Sequence, residues 1–133
     1  MIPQPIPVPA SQSEICEMAD YWIIHPVLAV KLAAMAQLVP FGLSIISGFR
    51  TVERQLELAR DGRPAADPSL STHCSCPATG VDLRMDGVHA GNYEKTLLGG
   101  AAQKAGLRWG GGSPLVDGIP TDWNHVDLGP RSL

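Results

Sequence analysis

Gly80-Val81-Asp82-Leu83-Arg84 is the stretch from which the fold is read. Apolar and polar residues alternate along it. It therefore reads as a strand with Val81 and Leu83 on a core face and Asp82 on the opposite one. A carboxylate held by a half-buried strand needs a partner. Working outward, Leu43 to Ser47 reads as a second short buried strand, and Asn124 to Leu128 as a third. The last puts Val126 and Leu128 in the core and turns His125 and Asp127 the other way.

The segments between these strands carry helical periodicity. Pro26 suits a first turn, and Leu28, Leu32, Met35 and Val39 then share one face until Pro40 and Gly42 end the helix. Thr51 suits an N-cap, with Val52, Leu56 and Ala59 as the expected core stripe and Gly62 as the stop. Asn92 to Ala105 predicts a helix with Leu97, Leu98, Ala101, Ala102 and Ala105 inward, ended by Gly106. Gly99 and Gly100 inside it each cost about 1 kcal/mol against Ala, which suggests close packing there. Before these elements, residues 1–12 predict an extended, polyproline-like arm. A short helix is then expected after Ser11 or Ser13, with Ile15, Met18, Ala19 and Trp22 on one side. Residues 13–133 are expected to form a single α+β domain. Its small, mostly antiparallel sheet carries helices on one face and leaves the other open.

Three separate pieces read together as one site. They are Ser47-Gly48-Phe49-Arg50-Thr51, then Ser71-Thr72-His73 with Asp82, then Asp122-Trp123-Asn124-His125. The open face is expected to carry His73, Asp82 and His125 from them. His73, Asp82 and His125 offer two imidazoles and one carboxylate, a frequent ligand set for catalytic zinc that leaves a fourth position for water. This donor set favours zinc over calcium or magnesium. Each residue alone has an ordinary reading as well. His73 suits a hydrogen-bonded loop histidine, Asp122 a turn residue after Pro120, Arg50 a surface cation and Trp109 a core tryptophan. Asp127 is a candidate to support a ligand from behind.

Taken in order, these pieces resemble the D-Ala-D-Ala carboxypeptidase family of zinc peptidases, which includes phage endolysins that cut L-Ala–D-Glu bonds. The family pattern is S-G-[FY]-R-[ST], then S-x-H-x-x-G-x-A-x-D, then [DE]-x-x-H. The stretch Gly48 to Gln55 with Leu58 and Gly62, and the run Gly106-Leu107-Arg108-Trp109-Gly110-Gly111, are similar to the endolysin-like branch. The resemblance covers roughly residues 25 to 129. It departs between the metal histidine and the metal aspartate. There the family has six residues and this chain has eight, Cys74 to Val81, read as an insertion in the loop at Cys74-Ser75-Cys76-Pro77.

The resemblance implies a fold shared with the hedgehog signalling domain and the D,D-peptidases. It makes His73, Asp82 and His125 the zinc ligands and Asp122 the general base. Arg50 would stabilise an oxyanion or a substrate carboxylate. Gln55, Ser71 and Trp109 are expected at the substrate. The reaction implied is hydrolysis of peptidoglycan stem peptides, at L-Ala–D-Glu by the endolysin-like pieces or at D-Ala-D-Ala by the family name. Two rivals are a non-hydrolytic zinc module, as in hedgehog proteins, and a hydrolase using Cys74 or Cys76. Asp122 and Arg50 speak against the first. The second lacks any helix start bearing a nucleophile, and alkylation against chelation separates it from a metal enzyme.

Composition narrows the classes. At 133 residues and 44% hydrophobic, the chain suits one domain with a modest core. A net charge of −3 argues against a nucleic-acid surface. No apolar run is long enough for a transmembrane helix. Met1 to Ala10 lacks the basic start of a signal peptide. Synthesis in the cytoplasm is therefore expected, with action on the wall after release by a holin, by lysis or within a virion. The three cysteines, Cys16, Cys74 and Cys76, are an odd number and are expected as reduced thiols. A monomer is expected.

Overall fold

A computed structural model describes residues 6–7, 23–62 and 71–130. The helix expected after Ser11 or Ser13 lies outside the described residues. So does most of the expected N-terminal arm, of which Ile6–Pro7 forms a two-residue strand (β1).

The architecture is α+β. Helix α1 (Pro26–Ala36) is followed by β2 (Gly42–Ser47), α2 (Val52–Arg60), β3 (Gly80–Asp86) and α3 (Asn92–Lys104). Then come β4 (Arg108–Trp109), a 3₁₀ turn at Gly110–Gly112, the hairpin β5 (Leu115–Val116) and β6 (Ile119–Pro120), and β7 (His125–Asp127). The main sheet runs β1-β2-β3-β7-β4, with every neighbouring pair antiparallel. Helices α1 and α3 supply Leu28, Leu32, Met35, Leu98 and Ala102 to a core shared with Leu43, Ile45, Val81, Leu83 and Val126. Leu28, Leu32 and Leu98 are wholly buried, each contributing about 1.5–3 kcal/mol of transfer free energy. Among the described residues no helix is long and apolar enough to cross a membrane.

The predicted alternation of β3 holds, with Val81, Leu83 and Met85 buried and Asp82 and Arg84 turned away. Thr51 caps α2, its Oγ1 accepting from Arg54 N at 3.1 Å. Gly62, just past the end of α2, takes φ +76°, where a side chain would be strained. The expected stripe of α2 is corrected, however. Val52 and Leu56 are exposed, and the buried residues are Gln55 and Leu58. The reason is polar: Gln55 Oε1 accepts from Arg50 Nη1 at 2.8 Å, which turns that edge of the helix inward. In α3, Gly99 meets the expectation of close packing, since a Cβ there would run into the Trp109 ring. Gly100 does not; it faces open space.

Two features of register aim the site. Between Ile45 and Ser47 the β2–β3 pairing slips, so that Ile45 faces Leu83 while Ser47 faces Asp82. This bulge re-aims the end of β2 and delivers Ser47 and Arg50 beside Asp82. On the other side of β3, Asp82 lies opposite His125 and Gly80 opposite Asp127. Directly opposed residues share a face, so Ser47, Asp82 and His125 form one row across three strands. The loop before β3 is pinned to both neighbours. His73 O accepts from Arg50 N at 2.7 Å, and Thr79 O accepts from Leu128 N at 2.9 Å.

Candidate metal centre

His73, Asp82 and His125 each offer one ligand atom, and these atoms lie within 4.8 Å of one another. His73 Nε2 is 3.3 Å and His125 Nδ1 is 3.1 Å from the same oxygen, Asp82 Oδ1. A tetrahedral zinc with bonds near 2.0–2.1 Å separates its ligand atoms by about 3.3 Å. The spacing therefore fits. So does the chemistry of the remaining ring nitrogens. His73 Nδ1 lies 2.8 Å from Gly48 O, an acceptor that obliges it to carry the proton and leaves Nε2 as a lone pair. His125 Nε2 lies 2.7 Å from Asp127 Oδ2, which leaves Nδ1 toward Asp82. Three acceptor atoms thus meet at one point, an arrangement suited to a cation.

The electrostatics agree. Burial pushes the Asp82 carboxyl up, but hydrogen bonds and charge from His125 and His73 outweigh it and hold the group well below the carboxylate range. Burial opposes protonation of His125, yet its hydrogen bonds to Asp127 and Asp82 prevail and raise it to about 9. The carboxylates at this point thus favour a positive charge between them. Asp122 shifts the other way. Burial, then the Asp82 charge, raises its carboxyl, while His125, His73 and Arg50 oppose the rise. By surface area Asp122 is exposed, at the lip of the cluster rather than in its floor.

Arg50 is half-buried beside Asp82. Its Nη2 donates to Ser47 Oγ at 2.9 Å and lies 3.6 Å from Asp82 Oδ2. Gln55, expected at the substrate, is 1% exposed, and its Oε1 accepts from the Arg50 guanidinium. Ser71 is likewise buried, and its Oγ accepts from His73 N at 3.3 Å, bracing the loop that carries His73. Trp109 packs on Gly99 and gives its indole N–H to Trp123 O at 2.7 Å. These bonds make Gln55 and Ser71 supports of Arg50 and His73.

Several further contributors surround these residues. Thr72 Oγ1 sits 3.2 Å from His125 Nε2. Ser113 Oγ accepts from Asp122 N at 3.1 Å and so fixes the turn that presents Asp122. Gly80 and Gly111 make room for the His125 ring: a Cβ at either would lie 2.9 Å from it. Arg108 forks onto Asp127 with two 2.8 Å bonds. The one available signal was the two-residue spacing of His125 and Asp127, which puts both on one face of a strand.

No family model matches the chain, and no curated protein matches it either. Among solved structures, the chain is similar to the L-Ala D-Glu endopeptidase ChiX of Serratia marcescens. The TM-score is 0.65, over 91% of this chain and 87% of that one, at 19% identity. The likeness is one of fold: this chain has the α+β fold of that endopeptidase.

Proposed function

We propose that this chain is a zinc-dependent peptidoglycan peptidase that hydrolyses the L-Ala–D-Glu bond of stem peptides, as a phage-type endolysin or a virion-associated lysin acting after release. The observation that carries the reading is the meeting of His73 Nε2 and His125 Nδ1 at Asp82 Oδ1, with Arg50 and Asp122 at its edge. The fold of a protein titled an L-Ala D-Glu endopeptidase supports it.

His73, Asp82 and His125 would hold the zinc. Zinc held there would supply Lewis acidity for the scissile carbonyl and for water near neutral pH. Asp122 takes the proton of the attacking water on its carboxylate and passes it to the leaving amine nitrogen. A raised carboxyl suits both halves of that transfer, because a base must give back what it takes. Arg50 is held at two of its N–H groups by Ser47 and Gln55. Its guanidinium keeps further donors for a substrate carboxylate or the developing oxyanion.

Arg50→Ala is expected to lower kcat/KM by about 10²–10³-fold, the scale of one lost oxyanion donor, with zinc content unchanged. Steady-state rates on muropeptides beside metal analysis check this, and an unchanged rate would assign Arg50 to structure. The bond is identified by end-group analysis of digested muropeptides. New amino groups on D-Glu are expected. Free D-Ala as the sole product would install a D-Ala-D-Ala carboxypeptidase instead.

A further inference from the structure

We propose that Asp127, braced by Arg108, is the positioning residue that decides which ring nitrogen of His125 faces the metal; the inference rests on the zinc reading above. Asp127 is wholly buried, and its carboxylate is surrounded by donors. Oδ1 accepts from Arg108 Nε and from Gly129 N, each at 2.8 Å. Oδ2 accepts from Arg108 Nη2 at 2.8 Å and lies 2.7 Å from His125 Nε2. Guanidinium and amide N–H groups only donate, so both oxygens are committed as acceptors. Against such an oxygen His125 Nε2 must carry hydrogen. The lone pair of the neutral ring is then on Nδ1, the nitrogen 3.1 Å from Asp82 Oδ1.

The strand register builds this arrangement. Asp127 follows His125 by two residues and shares its face of β7. Arg108 is its direct partner on β4, and Gly80 its direct partner on β3. A side chain at position 80 would meet Thr72 Oγ1 and the His125 ring, so the glycine opens the space in which His125 reaches Asp127. His73 is held by the opposite choice, Nδ1–H to Gly48 O, with Nε2 inward. Each imidazole is thus oriented by an acceptor that cannot donate. Such partners of ligating histidines are worth about 10–100-fold in metal affinity.

Asp127→Asn is the variant that tests the role. The amide oxygen is expected at the Oδ1 position, where Arg108 Nε and Gly129 N both donate. The amide NH₂ then takes the Oδ2 position, gives up the bond from Arg108 Nη2, faces His125 Nε2, draws its lone pair and moves the ring proton to Nδ1, against the metal. Zinc affinity, measured by competition with a chromophoric chelator, is expected to fall about 10–100-fold. Circular dichroism and thermal melting of the metal-free protein control for folding. Arg108→Gln is the comparison: it removes the fork but leaves a carboxylate opposite Nε2, so it should cost stability and less zinc affinity than Asp127→Asn. Nitrogen-15 NMR of the zinc-loaded native chain gives a readout that needs no variant, with a protonated Nε2 expected on His125. A protonated Nδ1 on His125 would overturn the proposal. So would native zinc affinity in folded Asp127→Asn, or equal losses in the two variants. A native chain that binds no zinc fails at the earlier step and removes the metal reading itself.

Discussion

Asp122→Ala is expected to lower kcat by about 10²–10⁴-fold, the range for a lost general acid–base group, while leaving zinc bound at native stoichiometry. The separation of the two effects follows from geometry. Asp122 is not among the three residues whose ligand atoms converge. It stands on the turn before β7, where its backbone N is fixed by Ser113 Oγ and its carbonyl accepts from His125 N. Both contacts are made by main-chain atoms of Asp122, so truncation of its side chain leaves them in place. What is lost is a carboxylate whose electrostatic neighbours are Asp82, His125, His73 and Arg50. Pre-steady-state and steady-state rates on a defined stem peptide, with metal analysis of the same sample, give the result. A variant that turned over near the native rate would remove Asp122 from the chemistry.

His125→Ala is expected to remove both zinc and turnover. The ring bridges Asp82 and Asp127 at 3.1 and 2.7 Å, and it lies 5.1 Å centroid to centroid from His73. Its deletion takes one of the three proposed ligands, so the loss should exceed the roughly 10–100-fold attached to a ligand's hydrogen-bonding partner. Thermal melting provides an independent check. A bound ion stabilises the native state by about 2.7 kcal/mol when present at 100 times its Kd. Added zinc should therefore raise the native melting temperature and leave that of His125→Ala unmoved. A variant still stabilised by zinc to the native extent would place the ion elsewhere.

Much of this arrangement is legible along the chain because it depends on local period. The alternation at Gly80 to Arg84 turns Asp82 away from the core, and the same alternation pairs His125 with Asp127 on one face. The Leu28, Leu32, Met35 spacing orients α1, and Thr51 caps α2 as its hydroxyl allows. The face of α2 was not legible. Periodicity assigns Val52 and Leu56 to the core, whereas a buried polar group, Gln55, is turned inward by its bond to the Arg50 guanidinium. Pattern reasoning treats a glutamine as a surface residue and has no sign for one that satisfies a half-buried cation. The bulge between Ile45 and Ser47 is hidden for a related reason, since register between strands is a tertiary property. The support of His125 by Arg108 through Asp127 joins β4 to β7, and neither strand's sequence names its partner.

Whether His73, Asp82 and His125 hold a zinc ion on which peptide hydrolysis depends is decided by one titration: the purified chain is stripped with a chelator, reloaded with zinc in substoichiometric steps, and assayed on muropeptides at each step. No hydrolysis is expected in the stripped protein, and the rate is expected to rise linearly to a plateau at one zinc per chain. Undiminished hydrolysis after stripping, abolished instead by alkylation of Cys74 and Cys76, would contradict the zinc assignment.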